Sequence, residues 1–429
     1  MTPTRTASRL AAALALAVLA TLPAGCVPAP RPGPWASVRE LTPAALANVA
    51  AFDASVAVGP RGQVALTWVT RDSVGASLWL ALSADGGERF GAPRRLDEPA
   101  GAVSSFPESR PVAAFGPSGQ LLVAWAQRRA GGGYADDIVS RASPDGGATF
   151  GPAVFVNDDH ADPRSTYHGF HAIDFASDGR AIAAWLDGRA ETLAPGMDEP
   201  ARAEVRLSTS VDEAQSWQPS VRVAGEACPC CRLAVHSDSL DRVVVAYRGA
   251  RDDLRDPRLA VSRDGGATFA FDTLVSDDRW KLPGCPSVGP AVTVNRAGGG
   301  HYAWFTGAER EADDVRPGVY VAPWRLDAGR TGPPRALADS LREASRPMLA
   351  AMATTTLAGV IGRPLADSTN RVLAVRALEV DGGMSPWLFL GAGVRSAALA
   401  GAGARRAYAV WIERADDENR LRLARLDRR

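Results

Sequence analysis

The chain has 429 residues, 46% of them hydrophobic, enough to bury a large core. Its 48 basic residues balance its 48 acidic ones, so there is neither the basic surplus of a nucleic-acid binder nor an acidic, disordered tail. The 42 glycines and 31 prolines indicate many tight turns, and no long helical periodicity runs through the chain, which excludes solenoids of helix pairs.

The first element is an export signal. Arg5 and Arg9 precede an apolar run from Leu10 to Leu22, too short for the roughly 20 residues of a bilayer crossing. The run closes on Leu22, Pro23, Ala24, Gly25 and Cys26, and residues 1–25 read as a signal peptide. These small residues before Cys26 resemble a bacterial lipobox. The resemblance implies cleavage before Cys26, lipidation of that residue and a protein exported to the bacterial cell envelope, on its periplasmic or extracellular face. Acyl chains contribute about 0.8 kcal/mol per buried CH₂, so several would make the membrane a lasting partner. Residues 26–34 are proline-rich and form the expected tether.

Beyond the tether the chain repeats. An apolar strand, a tight turn and a second apolar strand ending in an aromatic residue run from Ala54 to Trp68, and again as Pro111 to Trp125, His171 to Trp185, Cys231 to Tyr247 and Gly289 to Trp304. Eroded copies run from Arg346 to Gly362 and from Val394 to Trp411. Their spacing of roughly 50 to 60 residues suits propeller blades. A second signature follows the strong copies. Ser83, Asp85, Gly87 and Phe90 form the first example; Ser143, Asp145, Gly147 and Phe150 the second; Ser262, Asp264, Gly266 and Phe269 a third. Ser210, Asp212 and Trp217 form a degenerate copy with Ala214 at the glycine position. The Asp side chain can accept turn amides, Gly supplies the positive φ and the aromatic packs beneath.

Each unit then reads as four strands; in the second they are Val112 to Phe115, Leu121 to Ala126, Asp137 to Arg141 and Ala153 to Val156. The predicted fold is all-β, a propeller of four-stranded antiparallel blades within a single domain, residues 35–429. Seven copies favour seven blades, with six the alternative because the last two are eroded. The last unit lacks one strand, which Trp35 to Leu41 can supply beside Arg420 to Leu426, closing the ring without free edges.

These Asp-boxes and strands resemble the sialidase, or BNR-repeat, superfamily across about residues 35–429. The resemblance implies the propeller fold but not an activity. By the same resemblance an active sialidase would carry an Arg triad, a Tyr–Glu pair, an acid/base Asp and an Arg-Ile-Pro motif. The motif is absent and Arg110-Pro111 lacks its middle residue, so no catalytic residue is assigned.

The strand order places short turns and Asp-boxes at one end of the ring and the longer, more varied loops at the other, where ligand sites concentrate. At that loop end the repeat register gathers Cys228, Cys230, Cys231 and Cys285 with His168 and His171 into one sector. An oxidising compartment favours disulfides there, for example Cys231 to Cys285. Thiolates with imidazoles would alternatively hold zinc or copper. Arg110, Tyr167, Tyr247, Arg248 and Arg346 are the ligand-binding candidates, since several arginines on one rim can hold a carboxylate. The expected function is an envelope-anchored binding or scaffold module for a glycan or protein ligand. The alternatives are an exo-sialidase-like glycoside hydrolase and a soft-metal or redox site.

Overall fold

The computed structural model describes residues 35–429, apart from 47–48, 130–134, 163–166, 190–202, 296–297, 312–314, 328, 331, 368 and 380–381. The expected signal peptide (1–25), the tether (26–34) and Cys26 lie outside the described residues. Among the described residues no helix is long and apolar enough to cross a membrane.

Apolar runs rich in β-branched residues, separated by Gly-containing turns, fold as hairpins, and successive hairpins build seven antiparallel sheets. Taken from the innermost strand outward, blade 1 is Phe52–Val58, Val64–Arg71, Ala76–Ser83 and Arg94–Arg95. Blade 2 is Val112–Phe115, Leu121–Arg128, Asp136–Ser143 and Val154–Phe155, with Val103–Ser104 pairing beside its inner strand. Blade 3 is His168–Phe175, Ala181–Asp187, Ala203–Ser210 and Val221–Ala227, and blade 4 is Ala234–Ser237, Val243–Arg248, Pro257–Ser262 and Phe271–Leu274. Blade 5 is Ala291–Val292, Gly299–Thr306 and Gly318–Arg325, edged by the short strands Gly329–Arg330 and Arg335–Ala336. Blade 6 is Leu341–Ala351, Thr356–Pro364, Val372–Leu378 and Leu388–Leu390.

Blade 7 takes Val394–Ala402, Arg406–Ala415 and Glu418–Arg428 from the end of the chain and its outer strand, Trp35–Glu40, from the beginning. That strand pairs with register Val38↔Leu426 and Glu40↔Ala424, which is the closure expected from the repeat. The inner strands of blades 7 and 1 also touch, so the fold is a seven-bladed propeller.

The core lies between blades rather than at the axis. Leu78 and Leu80 of blade 1 pack with Val123 and Trp125 of blade 2, and Val64 and Leu66 pack with Tyr408 and Val410 of blade 7. The aromatics that end the second strands, Trp68, Trp125, Trp185, Tyr247 and Trp304, are fully buried in these layers.

The Asp-boxes staple the outer turns. In blade 2, Ser143 Oγ donates to Asp145 Oδ1 at 2.7 Å and accepts Gly147 N–H at 2.6 Å, while Asp145 Oδ1 accepts Thr149 N–H at 2.8 Å. The same bonds recur at Ser83, Ser210 and Ser262. The Thr149 amide and hydroxyl hold the Asp145 carboxyl at about 2, well below its usual value. Phe90, Phe150, Trp217 and Phe269 pack onto the layer shared with the preceding blade. Ser143 is buried, so Ser143→Ala strands the Gly147 amide and is expected to lower stability by about 1–3 kcal/mol, read as a shift in the denaturant midpoint at unchanged m.

Candidate functional site

At the loop end, the inner strands begin with a recurrent irregularity. The ladder shifts register between Phe52 and Ser55 in blade 1, between Gly169 and Ala172 in blade 3 and between Ser345 and Met348 in blade 6. Asp53, Phe170 and Arg346 take positive φ values of 47°, 54° and 57° within these bulges. Two residues before the first regular pair, the blades present Asp53, Arg110, Phe170, Arg232, Gly289 and Arg346 in turn.

Two arginines, Arg232 of blade 4 and Arg346 of blade 6, converge on Glu108, whose side chain is 2% exposed. Arg232 Nη1 lies 3.1 Å from both carboxylate oxygens, Gly289 N–H donates to Oε2 at 3.0 Å, and Arg346 Nε stands 3.6 Å from Oε1. A side chain at Gly289 would meet the Arg232 carbonyl at 2.2 Å, so only glycine brings this amide to the carboxylate. Arg110 donates to Ala397 O at 2.5 Å; burial, with Arg232 next, lowers its pKa to about 10. Arg346 donates to Arg395 O at 2.6 Å.

The turn Phe106–Ser109 separates this axial cluster from a cavity of about 640 Å³. Phe106, Tyr167 and Phe170 supply its aromatic wall, Arg71, Asp72, Arg128 and Asp136 its charges, and Cys230 and Cys285 its far side. Phe106 stands edge-on to Phe170 at 5.0 Å, and Tyr167 Oη donates to Pro229 O at 2.5 Å. Arg71 is tied to Ser105 O at 2.7 Å and to Asp53 at 3.3 Å. Asp136 Oδ1 is buried without a hydrogen-bond partner, with Arg128 Nε 3.9 Å away. Burial raises the Asp136 pKa against the opposing pull of Ser104 and Arg128.

The four cysteines do meet, but the bridge is Cys230–Cys285 rather than Cys231–Cys285. The turn aims Cys230 outward toward the loop before blade 5, while Cys228 and Cys231 are buried free thiols. The histidines are not part of this sector. Inner-strand side chains face the two neighbouring blades, and both histidines face blade 2. His168 Nδ1 bonds Asp136 O at 2.7 Å, and its Nε2 lies 3.0 Å from Asp159 and 3.4 Å from Asp187. His171 Nε2 bonds Ala124 O at 3.1 Å. Among the described residues, metal-ligating atoms converge in two separate groups, Cys228 with Cys230 and Cys231, and Asp159 with His168 and Asp187, so a mixed Cys/His zinc or copper site is not formed.

No family model and no curated protein matches the sequence. Solved structures do match. A protein of unknown function from Dyadobacter fermentans superposes with a TM-score of 0.54 at 13% identity, covering 92% of this chain and 99% of its own. The polysaccharide lyase Uly1 gives 0.52 at 11% identity, covering 89% and 90%. A Hadza microbial sialidase gives 0.48 at 12% identity, covering 88% of this chain and 66% of its own. The first two matches share the β-propeller fold of this chain.

In this propeller the sequence candidates fall into three groups. Arg110 and Arg346 are brought together on the axis and Tyr167 lines the cavity. Tyr247 and Arg248 instead lie inside the fold. Tyr247 Oη donates to Asp272 at 2.8 Å, and Arg248 spends its donors on the carbonyls of Val288, Arg255 and Phe305. Both belong to the second strand of blade 4, packed between neighbours, so neither reaches a ligand surface. Arg232, Glu108 and Asp136 were not among the candidates. Arg232 was within reach, since it precedes its inner strand by the same two residues as Arg110.

Proposed function

We propose that this chain is an envelope-anchored binding module for a glycan bearing an acidic substituent, held in the cavity between Arg71, Arg128 and Tyr167. One observation carries the reading: the loop-end cavity joins aromatic faces to guanidinium groups and to the partly exposed Asp136 carboxylate. Aromatic walls suit the apolar faces of a sugar ring, a guanidinium fork suits a carboxylate, and the partly exposed Asp136 carboxylate can accept a sugar hydroxyl. The axial arginines are a poorer receptor, because Glu108 already occupies them. The export signal and the lipobox-like Cys26 support placement on a membrane.

The test is calorimetric titration with uronate-bearing, sialylated and neutral oligosaccharides, probes suggested by the glycan-active names among the structural neighbours. An acidic oligosaccharide is expected to bind, and Arg128→Ala to weaken it about 10- to 100-fold, the worth of one charge-assisted hydrogen bond. Equal affinity for the neutral sugar, or no loss in Arg128→Ala and Arg71→Ala, would refute acidic recognition here. Turnover abolished by Asp136→Asn would replace binding with glycoside hydrolysis.

A further inference from the structure

The strongest unexplained feature is the sulfur cluster beside the cavity. Cys228 Sγ lies 3.3 Å from Cys231 Sγ and 3.6 Å from Cys230 Sγ, and Cys230 is bonded to Cys285. A reduced pair thus rests against a disulfide, with an exposed sulfur at one end, Cys285, and a buried one at the other, Cys231. A bridge meant solely as a clamp needs no thiols in contact with it. We propose that Cys228, Cys230, Cys231 and Cys285 form a thiol–disulfide exchange centre, in which one disulfide moves between the outward pair Cys230–Cys285 and the inward pair Cys228–Cys231.

The chemistry balances within the chain. The Cys228 thiolate bonds to Cys230 Sγ, the Cys230–Cys285 bond breaks, and its electron pair leaves on Cys285, which takes a proton from water. Cys231 gives its proton to water, its thiolate bonds to Cys228 Sγ, and Cys230 leaves as a thiolate. One disulfide and two thiols stand on each side, so no oxidant or reductant is consumed.

The surroundings fit this traffic. The Cys231 S–H donates to Cys228 Sγ and lowers the Cys228 pKa, helped by the Cys230 amide and the charges of Arg248 and Arg255, while burial raises that of Cys231 and makes Cys228 the first nucleophile. This gives buried Arg248 a purpose: with its donors spent on carbonyls it remains a fixed positive charge beside a nucleophilic sulfur. Cys230 and Cys285 tie the loop before blade 4 to the loop before blade 5, and both line the cavity. Moving the disulfide inward would free the segment carrying Cys285. The inference does not depend on which ligand the cavity takes.

The test is to poise the full chain in a series of glutathione buffers, quench in acid, alkylate and map the disulfides after digestion. Wild-type protein is expected to yield Cys228–Cys231 alongside Cys230–Cys285, with exchange speeding up as pH rises and more thiolate forms. Cys231→Ser is expected to stop at Cys228–Cys230, and Cys228→Ser to retain Cys230–Cys285 alone. The wild-type map decides even if a variant fails to fold. Cys230–Cys285 as the sole connectivity at every poise, with Cys228 and Cys231 alkylated after denaturation alone, would overturn the proposal. So would one equivalent of zinc or copper(I) bound by the reduced wild-type chain, which would make these sulfurs a metal site.

Discussion

Glu108→Gln is expected to cost about 3–5 kcal/mol of folding stability, a large share of what a domain possesses. The carboxylate is the axial counter-charge to Arg232 and Arg346, and it also accepts the Gly289 amide. An amide of the same shape offers one acceptor oxygen where two are used, and sets an N–H₂ group against a guanidinium. Arg232 would then be buried with its charge uncompensated. Arg232 also donates to Pro347 O of blade 6, so three blades lose their common fastening. Chemical denaturation of both single variants and of the pair with Arg232→Met measures the effect. The pair should cost much less than the sum of the singles, because Arg232, the more buried of the two guanidiniums, is then no longer stranded, and the more exposed Arg346 is left to solvent. A Glu108→Gln loss below about 1 kcal/mol would mean that solvent reaches this cluster and screens it.

How far such a cluster can be foreseen follows from the range of the interactions that make it. The Asp-boxes are legible because Ser143, Asp145 and Gly147 bond one another within five residues, so chemistry and spacing appear together in the sequence. Ring closure by Trp35–Glu40 is legible because one strand is missing from the last unit and one is spare at the start. Blade spacing likewise predicts that Cys285 comes near the Cys228–Cys231 turn. It does not predict which cysteine of that turn looks outward, because a turn can reverse side-chain direction within one residue. The histidines leave the cysteine sector for a related reason. The bulge at Phe170 decides which blade His168 and His171 face, and a register shift leaves no mark on apolar periodicity. Arg248 reads as a surface charge because arginine is seldom buried; inside blade 4 it is saturated by carbonyls from three segments. Glu108 sits in a short turn with no repeat equivalent, so no alignment of the units points to it.

Stability is expected to peak near pH 6.5 and fall on both sides, with one histidine governing each limb. Burial opposes charge on His168, but the carboxylates of Asp159 and Asp187 overcome it and lift its pKa to about 9. A folded pKa above the unfolded value near 6.5 stabilises fully below 6.5, and that contribution is lost as pH rises through 9. About 2 kcal/mol should disappear between pH 7 and 9.5. His171 behaves oppositely. Burial, opposed by the bond to Ala124 O, holds its pKa at about 4, and its Nδ1 has no partner for a proton. A depressed pKa leaves stability intact above 6.5 and removes it as pH falls toward 4, so about 2–3 kcal/mol should be lost between pH 7 and 4.5. The limbs are separable by substitution. His171→Gln keeps a donor for Ala124 and should flatten the acid limb while leaving the alkaline one. His168→Gln should flatten the alkaline limb and lower stability at neutral pH, since Asp187 then keeps Arg189 but loses the imidazolium. Denaturant midpoints measured every half unit from pH 4.5 to 9.5 give both slopes. An alkaline limb that survives in His168→Gln would show that the imidazole is neutral at pH 7, and the Asp159–His168–Asp187 group would then be a hydrogen-bonded set without an ion pair.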